Sequence, residues 1–341
     1  MDKLDYRYNL IRFDTSTAGT SYKLFVRSLY DYVIVKEVTT SDVTERSYFV
    51  AAKDLETSWT NRASLTYSID IRGRKLVNEG QNWLAAAGRT FTGLLDTYGG
   101  AAAAYSLQLL SSDYSGNCVT VRRASDNATL DIGFSNNELD TASLETFCTG
   151  TDGFITTWFD QSGNGLNATQ TTAANQPQIV SSGSVVLEGG KPAINSTFFS
   201  NSLNTSFTST TQMTTVAVSR IYDISTNRYI TDSSTGRYIV GIFSNTGKYT
   251  AYRSAVLSGD LGQTTKSSLY FATFDGTNST LTNDGGTTYT GNTGTSTFTE
   301  LKLFSGSGFN GNVQAIIIYN SDQSANRAGI QTALNDYYSI Y

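Results

Sequence analysis

The chain contains no histidine, which excludes Ser-His-Asp and Cys-His catalysis, His-ligated zinc and imidazole acid–base chemistry at once. Any catalysis must run on carboxylates, tyrosine, lysine or an oxygen-ligated metal. Cysteine is scarce: Cys118 and Cys148 are too few for a disulfide framework and too far apart for a Cys-x-x-Cys motif, and the count favours two buried thiols over one bridge. Charged residues are only 16% of the chain and the formal net charge is −5. That balance speaks against a nucleic-acid partner, because phosphate contacts need clustered Lys and Arg. The densest basic group, Arg72, Arg74 and Lys75, follows Asp70 and reads as a solvated strand end. No run approaches the roughly 18 apolar residues of a membrane span, so no membrane partner is expected. Met1-Asp2-Lys3-Leu4-Asp5-Tyr6 has no apolar run and is not a signal peptide, which predicts synthesis in the cytoplasm.

What is abundant points to strands and turns. The 341 residues include 30 Gly, 21 Tyr and 17 Phe against 2 Pro, the profile of an all-β protein with a hydroxyl-rich surface. The length suits two domains, or one large sandwich with an extension. Tyr6 to Phe13, Tyr22 to Val26, Tyr32 to Val38, Ser47 to Ala51 and Leu65 to Ile71 read as strands of a first β-domain. Its acids Asp31, Glu37, Asp42, Glu45 and Asp54 sit near strand ends, where solvation explains them. A glycine-punctuated connector from Asn78 to Thr97 divides the chain into domains over 1–95 and 96–341.

In the second domain, four alanines with Leu107, Leu109 and Leu110 predict a helix from Ala101 to Leu110. Strands are expected from Val119 to Arg123, Leu130 to Phe134, Thr214 to Ile221, Tyr238 to Phe243, Tyr249 to Tyr252, Leu269 to Phe274, Ser279 to Thr282, Leu301 to Phe304 and Val313 to Tyr319. A short helix is expected from Thr141 to Phe147, capped by Asp140 or Thr141, and a closing helix from Ser324 to Tyr338 with Ile330, Leu334, Tyr337 and Tyr338 turned inward.

The stretch from Gly153 to Gln170 organises this domain. Phe154, Ile155, Trp158 and Phe159 form an apolar run too short for a helix, which predicts a core strand. Asp160, Ser162, Gly163, Asn164 and Gly165 then turn sharply, since such residues take positive φ or bond their own backbone. Ala104-Tyr105-Ser106-Leu107, the run Val119 to Asn127, Leu139-Asp140-Thr141 and the run Trp158 to Gly165 resemble, in order and spacing, the catalytic module of the fungal arabinofuranosidase B family. The resemblance covers roughly residues 95 to 341. It implies a concanavalin-A-like β-sandwich, a jelly roll with short helices, here preceded by the small N-terminal β-domain. Relatives of that module recur in bacteriophage structural proteins.

The resemblance also implies glycoside hydrolysis by two carboxyl groups about 5 to 5.5 Å apart. It places a nucleophilic Glu on a strand in the second half of the module and an acid/base Asp in a Gly-rich turn before the penultimate strand. The best matching stretches, Tyr238 to Asn245 and Phe304 to Gly311, contain no carboxylate. No catalytic residue is therefore expected. The reading that follows is a non-enzymatic structural protein of a phage-like virion: a tail, fibre or capsid-decorating component. Its first domain would dock on the assembly and its sandwich would face outward, with other virion proteins, a second copy of the chain and surface glycans as partners. The alternative is an arabinofuranosidase-like glycoside hydrolase; a bacterial adhesin or lectin is disfavoured by the missing signal peptide. Asp160 with Asn164 could ligate sugar or calcium, but the favoured reading has the carboxylate bonding the amides of Ser162 and Gly163. Asp275-Gly276-Thr277-Asn278 reads as a hairpin turn rather than a metal loop, so neither metal nor cofactor is expected.

Overall fold

The pleated backbone of a strand sets every second residue on one face, so alternation of apolar and hydroxyl side chains marks a strand with one buried face. The computed structural model describes residues 91–341 apart from 197–200, 244–247, 261–265 and 306–308, and before them the backbone of 9–17, 20–28, 31–40, 43–50 and 68–69. The chain forms two compact units, Met1–Phe91 and Thr92–Tyr341. In the first, Asn9–Thr17, Thr20–Ser28, Asp31–Thr40, Val43–Val50 and Ser68–Ile69 pair in chain order as one antiparallel sheet. Arg72, Arg74, Lys75 and the connector as far as residue 90 lie outside the described residues.

The second unit is a two-layered antiparallel sandwich whose sheet is nearly closed. One layer runs Ala101–Ser106, Gly311–Tyr319, Met213–Ile221, Ser268–Phe274, Ser279–Asn283. The other runs Thr129–Ile132, Val119–Arg123, Gly153–Trp158, Ala168–Thr169, Leu203–Ser206, Glu300–Ser305, Arg228–Asp232, Ile239–Phe243, Lys248–Tyr252, Val256–Gly259. Gln178–Ser181 and Ile194–Ser196 bridge the layers, because Ile194–Ser196 pairs with both Gln178 and Gly311–Tyr319. Between the layers lies a core of Tyr105, Val121, Ile155, Trp158, Leu301, Leu303 and Ile316.

The first layer is buried on both faces. Every residue of Gly311–Tyr319 is buried, and a second apolar cluster of Val216, Val218, Phe271 and Ile317 meets Leu94, Ile330, Leu334 and Tyr338. Burial on both sides explains why these strands read as continuous apolar runs. The closing helix, Arg327–Tyr338, supplies the outer cover, and Ser339 in the left-handed region at φ 53° ends it. Ser324 does not cap it: a 3-10 turn over Ser324–Asn326 comes first, and the Ser324 hydroxyl donates to Asp322. The helix Thr141–Phe147 forms where expected, with the Asp140 carboxylate accepting from Ser143 N.

Ala101–Ser106 is a strand, which corrects the predicted helix. Helix propensity separates ordinary residues by about 0.7 kcal/mol at most, and strand pairing with Gly311–Tyr319 overrides it. Ala101 and Ala104 lie in the cluster beneath the closing helix while Ala103 and Tyr105 enter the inter-layer core. The alanines are small because two layers converge there. Cys118 and Cys148 are free and buried, and burial pushes both thiols up.

The layers are tied together by the turn after Trp158. Asp160 Oδ1 accepts from Ala104 N (2.8 Å) and Ser162 N (2.9 Å), and Oδ2 from Ser162 Oγ (2.8 Å) and Leu166 N (3.0 Å). Gln161 adds a second set: its N donates to Ala104 O, its Oε1 accepts from Leu110 N, and its Nε2 donates to Ser106 O and Gln108 O. Asn164 Nδ2 reaches the Ala101 and Ala102 carbonyls. Gly163 and Gly165, at φ 87° and 71°, make the chain reversal that only glycine takes without strain. The carboxylate thus bonds Ala104 and Leu166 across the turn and Ser162 beside it, in place of the expected pair of Ser162 and Gly163 amides.

Two stability measurements check this architecture. Asp160→Ala leaves a buried Ala104 amide and its neighbours without an acceptor and is expected to lose on the order of 3 kcal/mol in urea unfolding; an unchanged midpoint would remove the turn from the fold's framework. Leu334→Ala should cost about 2–5 kcal/mol, whereas exposed Thr332→Ala should stay within about 0.5 kcal/mol. Equal effects at the two helix positions would mean the helix is not docked.

Candidate functional site

Asp160, Ser162, Gly163, Asn164 and Gly165 are occupied by the inter-layer turn, and both Asp160 oxygens already hold two bonds each. Asp275 precedes a 3-10 turn, Gly276–Asn278, that joins the paired strands Ser268–Phe274 and Ser279–Asn283. Among the described residues, no group of three or more His, Cys, Asp or Glu is placed to hold a metal.

A row of polar and charged side chains lies on the outer face of the second layer, the face turned away from the core. In Glu300–Ser305, Leu301 and Leu303 are fully buried, so Glu300 and Lys302 point outward. The strand register carries this outward row across the layer. Thr120 pairs with Thr157, Thr157 with Thr169, Thr169 with Asn204, Asn204 with Lys302, and Lys302 with Asp232. The result is a band of hydroxyl, amide and charged side chains perpendicular to the strands, advancing about 4.8 Å per strand.

At one end of the band two carboxylates come together. Asp232 is opposite Lys302, and Glu300 is two residues from Lys302 on the same face, so the two acids are diagonal cross-strand neighbours. Such positions are about 7–8 Å apart, with Cβ atoms somewhat closer. Asp232 is buried to 6% exposure and is fixed by Arg237 Nε (2.8 Å) and the Ser233 amide (2.8 Å). Glu300 is half-buried, accepts from the Ser234 hydroxyl and lies 3.9 Å from Lys302 Nζ. The 233–237 loop therefore bonds both acids, through Ser234 to one and Arg237 to the other.

An aromatic wall adjoins the pair. Arg237 lies 5.2 Å over the Tyr229 ring, Tyr229 meets Phe243 edge-on at 5.6 Å, and Phe243 meets Tyr252 at 6.0 Å. A bulge between Tyr229 and Thr231 sets Ile230 into the core while Tyr229 stays on the outer side. Burial pushes the Tyr229 phenol up, and the Arg237 charge partly offsets it.

Another acid, Glu188, is nearly buried but fully engaged: it accepts from Ser267 Oγ (2.9 Å), Asn312 Nδ2 (3.1 Å) and Arg220 Nη1 (3.3 Å). It lines a cleft of about 250 Å³ with Arg220, Lys266 and Tyr338, and it is the one carboxylate among the described residues of that lining. Glu188 thus anchors its own ribbon, Leu187–Glu188 paired with Lys191–Pro192.

The sequence reading passed over Asp232 and Glu300. Ile239–Phe243 indeed carries no acid, and in the Gly-rich turn before Gly311 residues 306–308 lie outside the described residues. Arg228–Asp232, however, was not read as a strand, since its end runs into Asp-Ser-Ser-Thr-Gly, a turn-like composition. The signal available was the alternation Glu300-Leu301-Lys302-Leu303, which marks an acid on the outer face.

Comparison with known proteins bears on what this face does. Residues 96–194 match the family model for the catalytic domain of alpha-L-arabinofuranosidase B. No curated protein sequence matches as a relative. Among solved structures, a GH54 alpha-L-arabinofuranosidase soaked with a cyclic sulfate inhibitor is similar, with a TM-score of 0.57 and 17% identity over 71% of this chain and 65% of that one. An arabinofuranosidase complexed with arabinofuranosyl-alpha-1,2-xylobiose gives a TM-score of 0.57 and 17% identity over 71% of this chain and 64% of its own. This chain thus spans less than two thirds of the length of those enzymes. These findings correct the expectation of a non-enzymatic virion, tail or capsid component. The family match is to a catalytic domain and the similar structures are glycoside hydrolases. The second unit carries a β-sandwich module related to the catalytic domain of alpha-L-arabinofuranosidase B.

Proposed function

We propose that the chain is a retaining glycoside hydrolase acting on α-L-arabinofuranosyl groups, with Asp232 and Glu300 as its two carboxyls. The observation that carries the reading is their diagonal placement on the outer face. From Cβ atoms somewhat under about 7–8 Å apart, the two side chains can bring their carboxyls to the roughly 5–5.5 Å that a double displacement needs. Asp232, fixed by Arg237 and the Ser233 amide, holds one orientation, as an attacking oxygen must. Glu300, on the solvent side and bonded by Ser234, is the group that passes a proton to the departing glycosidic oxygen and later takes one from water. Phe243, half-buried beside the buried Tyr229, supplies an apolar edge against which a sugar ring can lie. The match over 96–194 and the likeness to arabinofuranosidase structures support the choice of sugar.

The same reading takes the sandwich as a concanavalin-A-like jelly roll and the unit Met1–Phe91 as a separate small β-domain. The two-layered strand order and the division of the chain into two compact units support it.

Release of 4-nitrophenol from 4-nitrophenyl α-L-arabinofuranoside tests the activity. The intact chain is expected to turn over well above buffer, and Asp232→Asn and Glu300→Gln should each lower kcat/KM by roughly a hundredfold or more, while the distant Glu145→Gln leaves it unchanged. No turnover by the intact chain, or turnover that survives both substitutions, would overturn the assignment.

A further inference from the structure

A second cleft, of about 240 Å³, has in its lining Phe154 of the strand Gly153–Trp158, Ala173 and Gln176 of the loop that leads to Gln178–Ser181, and Gln178 itself. Among its described lining residues there is no acid. One cation stands against this wall. Arg122 is the register partner of Phe154, and its guanidinium lies 5.1 Å from the Phe154 ring centroid. The same guanidinium bonds two more lining residues, with Nε donating to Gln176 Oε1 (2.7 Å) and Nη2 to Ala173 O (3.4 Å). Gln176 is held in turn, since its Nε2 donates to Gln170 O (3.0 Å). Three lining residues thus fix the guanidinium at the cleft.

Arg122 differs from its neighbour in what holds it. Arg123 pairs with the Asp126 carboxylate at 2.7 Å, whereas Arg122 bonds neutral acceptors alone: Gln176 Oε1, Ala173 O and, through Nη1, Asn127 Oδ1 (2.9 Å). Among the described residues it forms no ion pair. Three of the five guanidinium N–H donors are used in these bonds, and one on each terminal nitrogen remains for a further acceptor. Arg122 is also partly buried. A guanidinium stays charged in such a place, and the lower local dielectric makes its attraction for an anion stronger than in open water.

We infer that this cleft is a binding subsite for an acidic sugar, with Arg122 receiving the carboxylate of a uronate ring, separate from the Asp232–Glu300 pair. The groups left open on Arg122 are donors on a cation, so the ligand must bring acceptors and negative charge. A carboxylate brings both, and its two oxygens match the planar fork of a guanidinium. Half-buried Phe154 gives the apolar contact that the C–H face of a sugar ring takes up. A cleft below the roughly 300–1,000 Å³ of drug-sized sites suits one ring rather than a long oligomer. Gln178 uses its Nε2 on Val180 O (3.0 Å), and its carbonyl oxygen accepts no bond among the described residues. That leaves an acceptor for a ring hydroxyl and favours a hydroxylated acid over an aromatic one. The inference stands on the cleft and its guanidinium and does not require hydrolysis.

Binding of D-glucuronate, D-galacturonate, D-glucose, D-galactose, acetate and benzoate to the full chain, followed by calorimetry and ligand-observed NMR, tests it. Saturable binding of at least one uronate is expected, weakened by added salt, with the neutral sugars, acetate and benzoate each weaker by roughly tenfold or more. Arg122→Gln removes the charge and Arg122→Lys keeps it without the fork; both should weaken uronate binding by roughly tenfold or more. Phe154→Leu should weaken it too, and the melting temperature of each variant shows whether it is folded. Should the Arg122 variants fail to fold, Phe154→Leu and the salt dependence of the intact chain carry the test. Binding should persist in the Asp232→Asn, Glu300→Gln double variant, so a failure of the hydrolase reading leaves this result intact. No saturable binding of either uronate, equal or tighter binding of a neutral sugar, acetate or benzoate, binding indifferent to salt, binding unchanged in folded Arg122 or Phe154 variants, or binding lost in the carboxylate double variant would each overturn the subsite.

Discussion

The structure depends on a buried carboxylate and a buried amide at the end of the Gly153–Trp158 strand. Asp160 and Gln161 are each 3% exposed, and between them they bond the backbone of Ala104, Ser106, Gln108 and Leu110. Apolar packing presses the layers together, but it is non-directional and does not fix their relative position. Charge-assisted bonds from one layer's turn to the other layer's strand do, since each misplacement strands a buried donor. Trp158, immediately before the turn, touches both Tyr105 and Phe304 and so packs where the polar tie is made.

From that tie follows a division of labour. The layer containing Gly311–Tyr319 and Met213–Ile221 is covered on both faces, by the core on one side and by the closing helix on the other. In the opposite layer the strands Leu203–Ser206 and Glu300–Ser305 alternate: Leu203, Leu301 and Leu303 inward, Asn204, Glu300 and Lys302 outward. A side chain on that outer face has its backbone held by ladder bonds on both sides, which is how the diagonal acids on Arg228–Asp232 and Glu300–Ser305 are held at a fixed separation. The 233–237 loop adds Arg237 and Ser234, which restrict the carboxyls further.

Much of this was legible in the sequence, and the failures have physical causes. Strands such as Met213–Ile221, Ser268–Phe274 and Gly311–Tyr319 declare themselves because they are buried on both faces and consist largely of apolar and β-branched residues. Thr141–Phe147 was visible from its Asp140 cap. Ala101–Ser106 misled because alanine favours helix locally, and the bonds to Asp160 and Gln161 that make it a strand come from residues some 55 positions later. Leu203–Ser206 and Arg228–Asp232 were missed because half of each strand is polar and short. Those are the strands that build the outer face, so the site was lost with them: Asp232 resembled a turn residue, and the register that sets it beside Glu300 is a long-range pairing that no local pattern encodes.

Covalent trapping tests the central claim, that Asp232 and Glu300 work as a pair on an arabinofuranosyl ring, most directly. With a cyclic sulfate of α-L-arabinofuranose, an attacking carboxylate oxygen bonds to the anomeric carbon while that carbon's bond to the sulfate oxygen breaks and the sulfate stays on the sugar. Peptide mass spectrometry of the treated chain should then find one added arabinosyl sulfate on the peptide containing Asp232, absent after Asp232→Asn. An unmodified chain, or an adduct on any other acid, would contradict the account.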